Sequence, residues 1–361
     1  MTSVTVIIPT YDSAEFLREA LQSLERQGLD RSQLEVIVVD DGSLDHTEEV
    51  VQYFSSLIST YTKIEHTGSC GHARNVGLDA ASGEFLFFLD ADDLLAPGAL
   101  PDLISAARRH NTDIVIPRMV AEGGRSAPSG MFSHDSHNKD FLESGAWNNF
   151  GAWKLFRRSF LEHNAIRFCD DMIFSEDQIF VAQAYFRGAA VSILTDRPYY
   201  IFRWRPDNGN TTARRQTLED KRKVVTRLVE LIGRHEGPGE RRDQLMRRPF
   251  SWTLPRGLQH QMITADKLTR DVELDAISHK LHPFYTEGIW AQSSMLARIK
   301  LNLLFAGDYH TLEELAEIEV AMLEVDNRRI SYDQEGGDLM WIPKRIRAAG
   351  AWGRTSSIPL P

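Results

Sequence analysis

The stretch "FLFFLDADD", Phe85 to Asp93, drives an apolar run straight into Asp90, Asp92 and Asp93. A D-x-D at the end of a buried strand suits a hard divalent cation. Mg2+ and Mn2+ take oxygen ligands and bind one or two carboxylates together with substrate phosphates. Carboxylates this close repel one another, and a cation relieves that repulsion. Residues two apart share a side only while a strand continues. A turn after Leu89 would send one acid to a metal and the other to a sugar hydroxyl. Asp93 is left without a role, as a helix cap or a solvated charge. The competing reading is a triplet of solvated loop acids, and the position behind a buried strand weighs against it. A second acidic signal is "SEDQ", Ser175 to Gln178, with Ser175 at an N-cap and Glu176 and Asp177 in the first helical turn. Ordinary capping and a favourable helix dipole would explain it. So would a general base that takes the proton of an acceptor hydroxyl, facing a metal-bound leaving group from another segment.

These acids need elements to present them. "VTVIIP" (Val4 to Pro9), "LEVIVVDD" (Leu34 to Asp41) and "EFLFFLD" (Glu84 to Asp90) are short apolar runs that read as strands buried on both faces. Between them "SAEFLREALQSLERQ" sets Phe16, Leu17, Leu21 and Leu24 on one helical stripe with Ser13 as N-cap, and "DHTEEVVQYF" and "GHARNVGLDAAS" are also helical. "PGALPDLISAARRH" predicts a helix, "TDIVIPRMV" a strand, "KLFRRSFLEHN" and "SEDQIFVAQAYFRG" helices, and "VSILTD" and "RPYYIFRW" strands. Alternating strands and helices predict an α/β fold with a mainly parallel sheet, whose ligands bind at the carboxyl ends of the strands. Three strands end in polar signals: Pro9-Thr10-Tyr11, Asp40-Asp41-Gly42 and Asp90-Ala91-Asp92. That coincidence describes a site. After about Thr217 the pattern is predominantly helical, with Leu218, Val225, Leu228 and Ile232 on one stripe. The division is therefore residues 1–215 and a helical region 216–361.

The chain of 361 residues has 42% apolar and 25% charged residues, ordinary for globular protein, and only the tail "TSSIPLP" reads as disordered. A net charge of −10 disfavours a general nucleic-acid binder. Local basic clusters remain at "RRDQLMRRP" and "DKRKVVTR", either solvated helix faces or a surface for an anionic polymer or membrane. Cys70 and Cys169 fit neither a disulfide framework nor a zinc site, so a reducing compartment is the simpler reading. The N-terminus does not read as a signal peptide, and no window reaches the length of a membrane span. The expected location is cytoplasmic. No G-x-G-x-x-G or G-x-x-x-x-G-K-[ST] follows the first strand, against a dinucleotide oxidoreductase or P-loop ATPase.

"VTVIIPTYDSAEFLREALQSLERQ", "VIVVDDGSLDHT", "ARNVGLDAASGEFLFFLDADD" and "SEDQ" together resemble the family 2 nucleotide-sugar glycosyltransferases of the GT-A fold, over roughly Val4 to Arg205. "AEGGRSAPSGMF", "WKLFRRSFLEHNAIRF", "FSEDQIFVAQAYF" and "DRPYYIF" resemble, within that family, the wall teichoic acid polyribitol-phosphate glycosyltransferases. The resemblance implies that Pro9, Thr10 and Tyr11 line the nucleoside pocket and that Asp41 or Asp40 accepts from the uracil imide. It implies that Arg74 and Asn75 face the base and diphosphate, that Asp90 contacts ribose or sugar, and that Glu176 and Arg203 join the donor contacts. Asp92 would ligate Mn2+ or Mg2+, and Asp177 would be the catalytic base. Cys70 and His72 in "TGSCGHARN" depart from the family pattern.

The implied reaction is an inverting, metal-dependent transfer from a UDP-sugar, UDP-GlcNAc being the family's usual donor, to a hydroxyl of a cell-wall polymer. Another surface glycan or a small metabolite is the alternative acceptor. A nucleotidyltransferase would show a basic, glycine-rich phosphate loop where "PTYDS" stands. A non-catalytic sugar-binding protein would have no use for both D-x-D and SEDQ. The helical region is expected to bind acceptor, to support a homo-oligomer as in related enzymes, or both, and peripheral membrane association is compatible with the basic clusters.

Overall fold

The computed structural model describes residues 2–123, 127, 130–205, 216–326 and 342–349. The boundary expected near 215, part of "AEGGRSAPSGMF" and the tail "TSSIPLP" lie outside the described residues. The chain divides into two compact units, Met1–Arg214 and Arg215–Pro361.

In the first unit β1 (Val4–Thr10), β2 (Leu34–Asp40) and β3 (Thr60–Lys63) run parallel, joined through α1 (Ala14–Glu25) and α2 (Thr47–Tyr53). After α3 (Cys70–Ala80) the chain returns on the other side of β1 as β4 (Phe85–Phe88). β1 and β4 are buried along their whole length, as a sheet covered on both faces requires. The order β3-β2-β1-β4 reverses at β1, and a sheet of this kind takes ligands where its order reverses, at the carboxyl ends of the strands. α3 lies close against β1: a Cβ on Gly77 would sit 2.4 Å from Cγ2 of Ile7, so only glycine permits the contact.

The unit continues through β5 (Leu94–Leu95), α4 (Ala99–Arg109), β6 (Ile114–Pro117), β7 (Met119–Ala121), β8 (Ser136–Lys139), β9 (Leu155–Arg157), α5 (Arg158–His163), α6 (Glu176–Phe186), β10 (Val191–Leu194) and β11 (Tyr200–Phe202). The main sheet has eight strands in the order β3-β2-β1-β4-β9-β6-β10-β8, and a smaller sheet is ordered β5-β11-β7. Within the main sheet β9 is antiparallel to β4 and β6, and β8 is antiparallel to β10. The expected α/β fold with its mainly parallel sheet is present.

Three local expectations differ. "TDIVIPRMV" is two strands divided at Arg118, whose N–H donates to Leu194 O in one sheet while its carbonyl accepts from Tyr199 N beside the other (2.9 Å each). "KLFRRSFLEHN" begins as β9, because Leu155 and Phe156, both 0% exposed, are buried between β4 and β6, and that packing overrides the helical pattern. Helices do begin after Ser13 and Ser175, yet neither side chain makes a capping bond. The Ser13 hydroxyl donates to Tyr11 O (2.7 Å), and Ala14 N–H is met by the Asp45 carboxylate (2.9 Å).

The second unit is helical. Its first helix, α7 (Leu218–His235), is held by a reciprocal cap between Thr217 and Asp220, and Leu218, Val225, Leu228 and Ile232 are buried along it as the stripe predicts. Lys300 and Glu319 form a fully buried ion pair (2.5 Å), with Lys300 Nζ also donating to the carbonyls of Pro255 and Leu258. Parts of the basic clusters are paired locally: Arg222 with Glu273 (2.6 Å), Lys223 with Glu219 (3.0 Å) and Arg241 with Glu236 (2.9 Å). Among the described residues no helix is long and apolar enough to cross a membrane.

Candidate active site

Arg74, on the first turns of α3, is the centre of the site. Its guanidinium is buried, with Nη2 2.7 Å from Asp90 Oδ1 and Nη1 2.7 Å from Glu176 Oε1. One planar fork thus joins the end of β4 to the start of α6, a geometry arginine provides and lysine does not. Burial alone would lower the arginine pKa. Asp90 and Glu176 outweigh that and raise it, so the charge is locked on. The repulsion expected of Asp90 is therefore met by Arg74.

Ser175 stands in the left-handed region (φ 58°), an uncommon conformation for a residue with a side chain, immediately before the two acids. Glu176 is buried against Arg74. Asp177 is half-buried and makes no ion pair among the described residues. Burial raises both carboxyl pKa values. Arg74 opposes the rise at each, and Lys154 opposes it at Asp177. Lys154, which the sequence reading passed over, is itself 0% exposed, with Nζ donating to Asn149 Oδ1 (2.7 Å) and to the Gly151 carbonyl. The site thus holds two neighbouring carboxylates in different settings, Glu176 fixed by arginine and Asp177 without an ion pair among the described residues.

Asp93 is no bystander. It is 0% exposed, and its carboxylate accepts from the Tyr200 hydroxyl (2.8 Å) and from Arg203 N–H (2.9 Å). The same hydroxyl accepts from Asp90 N–H (3.4 Å). Arg203 donates from Nε to the Asp92 carbonyl (2.8 Å), pairs with Glu19 and lies 5.5 Å over the Phe16 ring. Arg205 reaches the Asp12 carbonyl and the Ser13 hydroxyl (3.1 and 2.6 Å). β11 therefore sets the turn that carries Asp92, which is half-buried. Tyr200→Phe removes a donor from a buried carboxylate and is expected to cost about 2 kcal/mol. Denaturant unfolding measures this, and an unchanged midpoint would show that the phenol does not hold the turn.

On the nucleoside side Thr10 is buried at the end of β1, and its hydroxyl finds no partner among the described residues. Pro9 precedes it inside the strand, paired in register with Val39. Tyr11 is half-buried and stacks on His66 at 4.1 Å. Asp40 is fully buried and accepts from Ser43 N–H and the Tyr61 hydroxyl (2.8 Å each). Asp41 caps the loop after β3, accepting from Thr67 N–H, the Thr67 hydroxyl and Gly68 N–H (2.8 Å each). Asn75 is turned to the chain, its amide donating to Phe168 O and Asp170 and its oxygen accepting from Phe168 N–H (3.0 Å each). His72 sits 3.3 Å from Asp170. The structure brings Arg74, Asp90, Glu176 and Asp177 into one cluster and commits Asn75, Asp40 and Asp41 to fixing loops.

Residues 5–165 match the sequence profile described as "Glycosyl transferase family 2". This chain carries a family 2 glycosyltransferase domain. The Poly(ribitol-phosphate) beta-N-acetylglucosaminyltransferase TarS of Staphylococcus aureus strain MW2 is 34% identical over 202 residues, covering 55% of this chain and 35% of TarS. TarP of S. aureus strain N315, of the same description, is 32% identical over 205 residues, covering 56% of this chain and 63% of TarP. The matched part thus spans about a third of TarS and less than two thirds of TarP. The solved structure of S. aureus TarS 1-349 in complex with UDP-GlcNAc resembles this chain with a TM-score of 0.77 at 26% identity, over 93% of this chain and 98% of that one. The likeness to that GT-A-like structure therefore extends past the family 2 domain into the helical unit.

Proposed function

We propose that this protein is an inverting glycosyltransferase that moves a sugar from a UDP-sugar to a hydroxyl of a polyol-phosphate or related surface polymer. The carrying observation is the Arg74 bridge. It gathers Asp90 and Glu176 and leaves the adjacent Asp177 without an ion pair among the described residues, the arrangement a base needs. Asp177 takes the acceptor proton as the hydroxyl attacks the anomeric carbon opposite the leaving diphosphate, so an α-linked donor gives a β product. Burial raises the Asp177 pKa, as a base that must take a proton requires, and Arg74 and Lys154 limit that rise. Glu176 and Asp90, both held by Arg74, orient the donor. The TarS complex with UDP-GlcNAc supports UDP-GlcNAc as donor, and the TarS and TarP descriptions support a poly(ribitol-phosphate) acceptor.

The donor set fits a hard divalent ion: Asp92 offers a half-buried carboxylate two positions from Asp90, and Mg2+ or Mn2+ accepts so few protein oxygens when phosphates complete its shell. Asp92 would hold the ion, which when bound neutralises charge on the leaving diphosphate. A nucleotide-sugar panel scored by UDP release, with and without Mn2+, tests the whole reading. UDP-GlcNAc turnover stimulated by the ion is the expected result. Asp92→Ala is expected to abolish that stimulation with the fold intact by circular dichroism. Full turnover in EDTA would remove the metal from the scheme.

A further inference from the structure

Charged groups from three other segments face Asp177. Arg74 of α3 and Lys154 oppose the rise that burial imposes on its pKa, and Asp90 at the end of β4 adds to that rise. Glu176 stands beside it on α6 and acts on it as a like charge. Arg74 is committed to Asp90 and Glu176, 2.7 Å from each.

Lys154 is set differently. It is fully buried, and its Nζ turns back on its own segment to reach Asn149 Oδ1 (2.7 Å) and the Gly151 carbonyl. A Cβ on Gly151 would lie 2.0 Å from the Trp153 ring, so only glycine lets the indole fold over this turn. The turn is also tied to α6, because the Tyr185 hydroxyl lies within hydrogen-bond reach of the carbonyls of Ala146 (3.2 Å) and Asn149 (3.0 Å). Lys154 then leads into β9, where Phe156 packs on Phe180 of α6 with ring centroids 5.4 Å apart. Residues two apart in extended chain share a face, as do residues three apart on a helix. Lys154 is two before Phe156 and Asp177 three before Phe180, so the packing of the two rings turns the ammonium toward the carboxylate. Asn149 Oδ1 and the Gly151 carbonyl are uncharged, so they hold the ammonium without neutralising its field.

We propose that Lys154 is a positioning residue for the base: it orients the Asp177 carboxylate and sets the lowest pH at which that carboxylate takes the acceptor proton. This rests on the glycosyl-transfer reading above and adds the residue that tunes it. A buried acid with no cation near it would hold its proton too tightly, and one bridged as closely as Glu176 would be too weak a base. A cation beyond ion-pair distance, fixed in its own turn, leaves Asp177 between these extremes.

The test is the pH dependence of kcat for transfer from UDP-GlcNAc to poly(ribitol-phosphate) at fixed Mg2+, with UDP affinity measured by calorimetry on the same proteins. Lys154→Gln keeps an amide donor for the turn and loses the charge. It should move the acidic limb up by about one pH unit, because a base must be deprotonated and the cation favours that form. Below both limbs the rate should then fall about 10-fold, and above both by less than about 3-fold. Lys154→Arg keeps the charge and should hold the limb within about 0.3 unit of wild type. UDP affinity should change less than about 2-fold in either variant. Asn149→Asp is nearly isosteric and sets an anion on the ammonium, so it too should move the limb up. An unmoved limb there would overturn the proposal even if Lys154→Gln failed to fold. An equal loss at every pH in Lys154→Gln would show a merely structural lysine, and weakened UDP binding with the limb unmoved would show a donor contact; either result overturns the proposal. If wild type transfers no sugar, it is the glycosyl-transfer reading that fails.

Discussion

Asp177→Asn is expected to lower sugar transfer by on the order of 10²–10⁴ while UDP-sugar affinity stays at the wild-type value. The amide preserves size and shape but cannot take a proton. The neighbouring carboxylate cannot substitute, because Glu176 is held 2.7 Å from Arg74 Nη1. Left-handed Ser175 fixes the direction in which the pair emerges from the loop, so the variant should fold normally. A pH signature accompanies the loss. Burial raises both carboxyl pKa values of the pair, and a base works only when deprotonated. The wild-type rate should therefore fall, as pH drops, through a value above the usual carboxylate range near 4, and the limb belongs to the pair rather than to one residue. Rate–pH profiles of wild type and Asp177→Asn, alongside donor binding, decide the matter. Full activity in Asp177→Asn, or its total loss in Glu176→Gln alone, would move the base elsewhere.

The strands, the direction of the sheet and the acids at its carboxyl edge were legible because each rests on local pattern. An apolar run ending in Asp reads the same in isolation as in the fold. What the sequence hid depends on partners far along the chain. Asp93 meets Tyr200 and Arg203 across separations of 107 and 110 residues, and no period or cap signal announces such a bond. It was the third acid of a visible motif, yet its burial is decided by a strand from the smaller sheet. Arg203 and Arg205 alternate in "FRWRP", a pattern that places both on one side of an extended segment, and both do lie over Phe16. Their carbonyl partners were not readable. Lys154 carried no signal beyond being a lysine next to an apolar strand. β9 was misread as helix for the same reason that Asp93 was misjudged: insertion between β4 and β6 is a property of the assembled sheet, and local propensity yields to it. Asp40 and Asp41 show the reverse case. An Asp-Gly pair after a strand is an ordinary turn signal, and the hydrogen bonds of these acids to Ser43, Tyr61, Thr67 and Gly68 fit it.

Arg74→Met is expected to destabilise the fold by about 3 kcal/mol or more, because it leaves Glu176 buried without its cation. It is expected also to abolish transfer, since the bridge is what brings the start of α6 to the end of β4. Arg74→Lys should fall between, as a single ammonium cannot reach Asp90 and Glu176 in two directions at once. The decisive protein is the double variant Arg74→Met with Glu176→Gln. Removing both charges of a buried pair costs far less than removing one, so most of the lost stability should return, while activity should not. Denaturant unfolding of the four proteins gives the coupling energy, and UDP release gives the activity of each. If the double variant recovers transfer along with stability, Arg74 serves only as a structural pin. If it recovers stability alone while Glu176→Gln by itself retains transfer, the guanidinium acts on the donor through Asp90, and the motif in α3 belongs to the chemistry as much as the D-x-D does.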